Sequence, residues 1–263
     1  NDLRILLTND DGIMAAGLRT MQKALAEAGH ELIVVAPHTE RSAASHSLSL
    51  QRDLRVRQLA DNEYSVDGTP VDCVVVALQH IIQEPVDLVI SGINAGQNMG
   101  EDVLYSGTVA AALEAALNGN KAIAVSLNSY RNQNFEPTAA WIVTLLELGL
   151  TDLCEPGMVL NINFPHLPYD EIKGIRLTQT GHRRYYNFIR ITAEHEDGFS
   201  YRIGGDNPNW VNLEGSDADA VKAGFISITP LGFKLTNVQC FPAVLEWLET
   251  RGLLRLEERR YAL

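Results

Sequence analysis

Three short segments carry residues that could do chemistry. The first is Thr8-Asn9-Asp10-Asp11-Gly12. Two adjacent carboxylates repel each other unless one is protonated or a cation neutralises them, and a hard divalent cation takes such oxygen ligands readily. Gly12 permits a sharp turn that lets neighbouring side chains converge. A plainer role fits the same residues, with one Asp capping a helix and the other solvated. The second segment is Glu40-Arg41-Ser42-Ala43. Ser42 offers a neutral oxygen. Arg41 either faces a phosphate or pairs with Glu40, and the loop ion pair is the default. His46, alone in its loop, reads as structural. The third segment runs from Ser91 to Gly100, with Asn94 and Asn98 among its glycines, and continues to Ser106-Gly107-Thr108. A helix opening there presents free backbone N–H groups and a partial positive charge. Gly107 allows close approach, and the Ser106 and Thr108 hydroxyls add donors, which makes a cradle for phosphate. An ordinary capped helix explains these residues equally.

Each segment follows an apolar run. Residues 3–7, 32–36, 86–90, 122–125 and 159–162 read as buried strands. Leu18, Met21 and Leu25 recur at helical spacing, with Gly29 closing that helix. Residues 70–82 read as a helix capped by Thr69 with Pro70 first. Val109, Ala112, Leu113, Ala116 and Leu117 make another helical stripe, and residues 139–150 a further helix. Strand alternating with helix predicts an α/β chain with a mostly parallel sheet and flanking helices, with ligands at the carboxyl ends of the strands. Leu54, Val56, Tyr64 and Val66 alternate with polar residues, as in a small antiparallel insertion. After Gly174 the rhythm changes. Residues 176–205, with turn signals at Gly198 and Gly204-Gly205, read as an extended hairpin with little core of its own. Residues 206–219 read as an acidic loop, 225–229 as a strand, and Phe241, Val244, Leu245 and Leu248 as a terminal helix. The expected domains are one over 1–175 that carries the candidate segments and, over 176–263, the hairpin arm, a closing strand and the terminal helix. An arm that cannot bury itself packs on another subunit, so a homo-oligomer is expected. Arg183, Arg184 and Tyr185 read either as residues that approach substrate from a neighbouring subunit or as residues that hold the arm down, the second being favoured.

The 263 residues include 21 Lys plus Arg against 33 Asp plus Glu, a net charge of −12. So acidic a chain has no general attraction for nucleic-acid duplexes or anionic membranes. A phosphorylated substrate would need local positive charge, and a bound cation supplies it. The longest apolar run, residues 73–78, is far short of the ~20 residues that span a bilayer. No basic segment followed by a long apolar stretch opens the chain. Cys73, Cys154 and Cys240 are far apart in sequence and form no Cys-x-x-Cys. A cytoplasmic location is expected, with all three as buried small hydrophobes. There is no Gly-x-Gly-x-x-Gly after a strand, no Gly-x-x-x-x-Gly-Lys-Ser/Thr and no Gly-x-Ser-x-Gly, which disfavours dinucleotide, P-loop and serine-hydrolase chemistry. The adjacent acids do not form the Asp-x-Asp of phosphatases that use an aspartyl intermediate.

Taken together, the motifs resemble one family, the SurE-type stationary-phase survival proteins, which are metal-dependent 5′-nucleotidases. The resemblance rests on Arg4-Ile-Leu-Leu-Thr-Asn-Asp-Asp-Gly12, Val34-Val-Ala-Pro37 with Glu40-Arg-Ser-Ala43, and Gly68-Thr-Pro-x-Asp-Cys73. It continues through Asp87-Leu-Val-Ile-Ser-Gly-Ile-Asn-Ala-Gly96, Tyr105-Ser-Gly-Thr-Val109, Leu160-Asn-Ile-Asn163 and Gly224-Phe-Ile-Ser-Ile-Thr-Pro230. It implies a Rossmann-like domain with a protruding β-hairpin arm and a C-terminal segment exchanged between subunits of a dimer or tetramer. It implies release of phosphate from nucleoside 5′-monophosphates, also from 3′-nucleotides and short polyphosphate. The family's metal ligands fall on Asp10, Asp11, Ser42 and Asn94, an all-oxygen set suited to one Mg²⁺ or Mn²⁺ per subunit. On this reading Asp10, Asp11 and Asn9 are catalytic, and Asn98, Ser106, Gly107 and Thr108 hold the phosphate. The non-enzyme alternative is a nucleotide-binding stress sensor on the same fold.

Overall fold

Each apolar run becomes a strand of one large sheet, and each amphipathic stretch a helix laid against it. The computed structural model describes residues 2–184, 189–203, 209–211 and 213–253. The first half runs β1 (Arg4–Thr8), α1 (Ala16–Glu27), β2 (Glu31–Pro37), β3 (Val56–Ala60), β4 (Glu63–Val66), α2 (Pro70–Val76), β5 (Leu88–Ala95), α3 (Gly107–Leu117) and β6 (Ala122–Asn128). The second runs α4 (Glu136–Glu147), β7 (Met158–Pro165), β8 (Ile175–Leu177), β9 (His182–Arg184), β10 (Ile189–His195), β11 (Gly198–Ile203), β12 (Asn209–Val211), α5 (Asp217–Lys222), β13 (Ile226–Gly232) and α6 (Phe241–Thr250).

The main sheet has nine strands in the order β3-β4-β2-β1-β5-β6-β7-β13-β8. Strands β4 through β7 run parallel, while β3 and β13 are antiparallel to their neighbours β4 and β7. This is the expected α/β, Rossmann-like sheet. Its parallel strands are buried on both faces, so they read as continuous apolar runs rather than alternating ones. On α1, Leu18, Met21 and Leu25 are fully buried in the same core as Ile5, Leu7 and Val34. Each such side chain contributes roughly 1.5–3 kcal/mol through burial. Helix α2 starts as expected. Thr69 accepts from Asp72 N–H while the Asp72 carboxylate accepts from Thr69 N–H, a reciprocal cap that satisfies two orphan donors.

Several expectations need correction. The antiparallel pair β3–β4 is no separate insertion, because β4 joins β2 and extends the main sheet. Strand β5 does not stop near Ser91. It slips register after Ser91 and pairs again with β6 at Asn94 and Ala95. The helix begun at Pro70 widens into a π-helical turn over Ala77–Ile81. The end of the acidic loop is helical, as α5, with Ser216 accepting from Asp219 N–H. Cys73 and Cys154 are buried, but Cys240 is exposed.

The hairpin β10–β11 is exposed along its whole length. Gly204, Gly205, Tyr185 and the tail after residue 253 lie outside the described residues. The chain divides into two compact units, Asn1–Gly232 and Phe233–Leu263. The second contains α6, where the Arg251 guanidinium lies 4.4 Å from the centre of the Trp247 ring. Among the described residues, no helix is long and apolar enough to cross a membrane.

Candidate active site

The chain builds outward from β1 to β2 and β4, then returns past β1 to β5, β6 and β7. The winding direction therefore reverses between β1 and β5, and a crevice forms where loops leave the carboxyl ends of those strands in opposite directions. The three candidate segments all leave strands at this edge.

Asn9, Asp10 and Asp11 follow β1 directly. Asn9 is buried and turned into its own loop: its Oδ1 accepts from Gly12 N–H at 3.2 Å and its Nδ2 donates to Gly12 O at 2.9 Å. Gly12 has φ +106°, and a Cβ there would lie 3.3 Å from the Thr39 carbonyl carbon. A side chain would both strain the backbone and push away the second loop. That loop is tied in by its main chain, since Arg41 N–H donates to Asp10 O at 2.7 Å. Its side chains turn elsewhere. Arg41 pairs with Asp67 at 3.2 Å rather than with Glu40, and Ser42 Oγ donates to Glu40 Oε1 at 2.7 Å. His46 pairs with Glu114 on α3 at 2.8 Å.

The third loop closes the crevice. Asp11 Oδ2 accepts from Ala95 N–H on β5 at 3.0 Å. Asn94 Nδ2 donates to Gly96 O at 2.9 Å. Ser45 N–H donates to Tyr105 O at 3.1 Å, joining the second loop to the third. Ser106 caps α3, its Oγ accepting from Val109 N–H at 3.1 Å. The Thr108 hydroxyl donates to Asp10 Oδ1 at 2.6 Å. Gly107 lies against the same carboxylate, where an added Cβ would come 2.8 Å from Asp10 Cβ. The start of α3 therefore lies on the acid pair, and only a glycine fits there.

The electrostatics follow from this packing. Asp10 is 4% exposed. Burial, and then the neighbouring Asp11, push its carboxyl up to about 6, against the pull of the Thr108 hydroxyl. Burial pushes Asp11 up as well, with Glu40 adding to it. Among the described residues neither carboxylate has a Lys, Arg or His ion pair. Nor does any group of three or more His, Cys, Asp and Glu residues stand together there as a metal cluster. Two charges thus sit in low dielectric with only neutral donors around them.

Other residues at this edge carry more structure than sequence reasoning gave them. Asn98 is held by Asn161, Asn163 and Ser126, none of which had been assigned a role. The available signal was a pair of asparagines at period two in an otherwise apolar strand. Asp217, also unassigned, accepts from Gly100, Gly181 and Ala218 N–H groups and so joins this loop to the base of the arm. Arg183 pairs with Asp102, and its N–H donates to Glu101 at 2.8 Å, as a residue holding the arm down would.

Comparison with known proteins places the chain in a family. Residues 5–187 match the family model described as Survival protein SurE. A 5′-nucleotidase SurE from Thermosynechococcus vestitus is 40% identical, the match covering 94% of this chain and 97% of the relative. A 5′/3′-nucleotidase SurE from Klebsiella pneumoniae is 43% identical, with 95% and 98% covered. The crystal structure of a SurE protein from Aquifex aeolicus superposes with a TM-score of 0.83 at 37% identity, covering 94% of this chain and 99% of that one.

Proposed function

The chain belongs to the SurE family, and from that premise we propose that it is a nucleotidase that hydrolyses nucleoside 5′-monophosphates to nucleoside and phosphate with the help of one divalent cation. The single observation that carries this reading is the acid pair. Asp10 and Asp11 are desolvated side by side, with no protein cation beside them among the described residues, at the edge where α3 presents its N-terminus. 3′-Nucleotides and short polyphosphate, which present the same terminal phosphoryl group, are further substrates on this reading.

The donor set fits Mg²⁺ or Mn²⁺. Asp10 and Asp11 would supply carboxylates, Ser42 its hydroxyl once turned from Glu40, and Asn94 its Oδ1, all hard oxygens. When bound, the cation neutralises phosphoryl oxygens and acidifies water. The remaining work belongs to the chain. Thr108 fixes the rotamer of Asp10 through its short hydrogen bond. Asn9, engaged at both ends by Gly12, shapes the turn that presents the acid pair. Ser106 keeps its proton as a donor after accepting from Val109, and Gly107 leaves room for a phosphoryl oxygen at the helix start. Asn98 completes the cradle. Thr108 thus acts through Asp10, while Ser106, Gly107 and Asn98 face the substrate.

Self-association through the arm and the C-terminal segment goes with this reading. Ile189, Ile191, Tyr201 and Ile203 are exposed on the hairpin, Ile189 paired with Ile203 and Ile191 with Tyr201. Three unpaired cysteines suit a reducing cytoplasm.

The test is phosphate release from a panel of nucleoside monophosphates with Mn²⁺, with Mg²⁺ and with chelator. Release that needs metal supports the reading. No release with binding retained overturns it in favour of a nucleotide sensor. Release that survives chelator overturns the role given to the cation.

A further inference from the structure

Asn94 still lies in β5, and the loop that carries Asn98 leaves the sheet after Ala95, its last ladder bond running from Gly96 N–H to Leu127 O at 3.0 Å. Asn98 lies beyond that point, 7% exposed, so its buried peptide groups need partners that the ladder no longer supplies. Side chains from two neighbouring strands provide them. Asn163 Oδ1 accepts from Asn98 N–H at 2.9 Å, and Asn163 Nδ2 donates to Asn98 O at 3.0 Å. Its carboxamide thereby acts as a substitute peptide group. Asn161 Nδ2 donates to the same carbonyl at 2.8 Å, and Asn98 Nδ2 donates to Ser126 Oγ at 2.8 Å. Asn161 and Asn163 share one face of β7 because strand side chains alternate. Ser126 is the register partner of Asn163 on one side and of Asn94 on the other.

We propose that Asn161 and Asn163 are positioning residues of the reaction. They form an amide clamp that sets the place of Asn98, four residues beyond Asn94. The argument is one of cost. Asn161, Asn163 and Ser126 are all 0% exposed, and among the described residues the buried Asn161 Oδ1 has no hydrogen-bond partner. An apolar residue at these positions would pack without that desolvation penalty. The amides give in exchange one fixed geometry for a loop that has left the ladder. The proposal rests on the nucleotidase reading for its consequence, although the clamp itself stands on geometry.

The experiment compares wild type with Asn163→Ala and Asn161→Ala. It reads kcat and KM for 5′-AMP, melting temperature, and hydrogen exchange of the amides over residues 94–100. Asn163→Ala loses two of the three bonds to the Asn98 main chain. It is expected to raise KM by about tenfold, the change that ~1.4 kcal/mol produces, and to speed exchange across the loop. Asn161→Ala, losing one bond, is expected to do both more weakly. A lower melting temperature with KM, kcat and loop exchange unchanged would overturn the proposal and leave the pair as plain fold residues. If Asn163→Ala does not fold, Asn161→Ala decides by the same readouts. Wild-type protein that releases no phosphate overturns the nucleotidase reading instead, while loop exchange still decides the clamp.

Discussion

Two parts of this sheet edge, at β1 and at β7, solve the problem of buried polarity in opposite ways. On the β1 side, Asp10 is a buried and Asp11 a half-buried carboxylate, and their neighbours are a hydroxyl, an N–H group and each other. On the β7 side, Asn98, Asn161, Asn163 and Ser126 are buried neutral groups joined into one network. Neutral groups satisfy one another at modest net cost, whereas a desolvated carboxylate needs an opposite charge to offset burial. The acid side is therefore incomplete by itself and suits an arriving cation. The amide side is nearly complete and suits holding still what the cation must meet.

The strongest way to break that contrast is Asp10→Asn. The substitution keeps an oxygen for the Thr108 hydroxyl and removes the charge. Turnover is expected to fall by far more than ~10-fold, the change that ~1.4 kcal/mol produces. In chelator at neutral pH, however, the variant is expected to melt above wild type. A carboxyl raised from 3.8 to about 6 is costly in its ionised form, and the difference corresponds to at most about 3 kcal/mol. Phosphate release and thermal melting check the two halves separately. If Asp10→Asn melts no higher than metal-free wild type, the acid side is not the strained one.

The same contrast explains what the sequence disclosed. The acid side was visible because charge stands out: Asp10-Asp11 after an apolar run marks a strand's carboxyl edge. The parallel sheet was visible for a related reason, since strands buried on both faces leave long apolar runs such as residues 32–36 and 122–125. Helix α5 was hidden because its six residues are too few for a stripe, and its buried members are Asp217, Ala218, Ala220 and Val221. The end of β5 was hidden because Gly92 reads as a turn, although pairing resumes at Asn94. The amide clamp was hidden because an asparagine in a strand has no fixed partner until the fold supplies one. Asn161 and Asn163 meet Asn98 across more than sixty residues of chain.

Gly107→Ala tests how closely the start of α3 must approach the acid side. The new Cβ would lie 2.8 Å from Asp10 Cβ, 3.0 Å from Asp10 Oδ2 and 3.1 Å from Pro70 Cγ. Asp10 is short, buried and hydrogen-bonded, so it cannot swing aside cheaply. Overpacking of this kind costs about 1–3 kcal/mol. The expected result is a loss in kcat/KM of about tenfold or more, with a smaller fall in melting temperature than a core cavity gives. Unchanged kcat/KM would show that the helix start and the acid pair do not act as one unit.

The smallest expected effects come from the two hydroxyls beside Gly107, and they differ in kind. Ser106→Ala removes a cap, worth about 1 kcal/mol of stability, together with the donor proposed to face the substrate. Its activity loss should therefore appear mainly as a higher KM. Thr108→Val keeps the shape and removes the 2.6 Å bond to Asp10. It acts on a residue of the acid side rather than on substrate, so kcat should fall while KM changes little. Steady-state kinetics on 5′-AMP separates the two, because an interaction made equally with ground and transition states moves KM alone. If Thr108→Val raises KM and leaves kcat intact, its hydroxyl serves the phosphate, and the division between a charged side that reacts and a neutral side that binds has to be redrawn through residue 108.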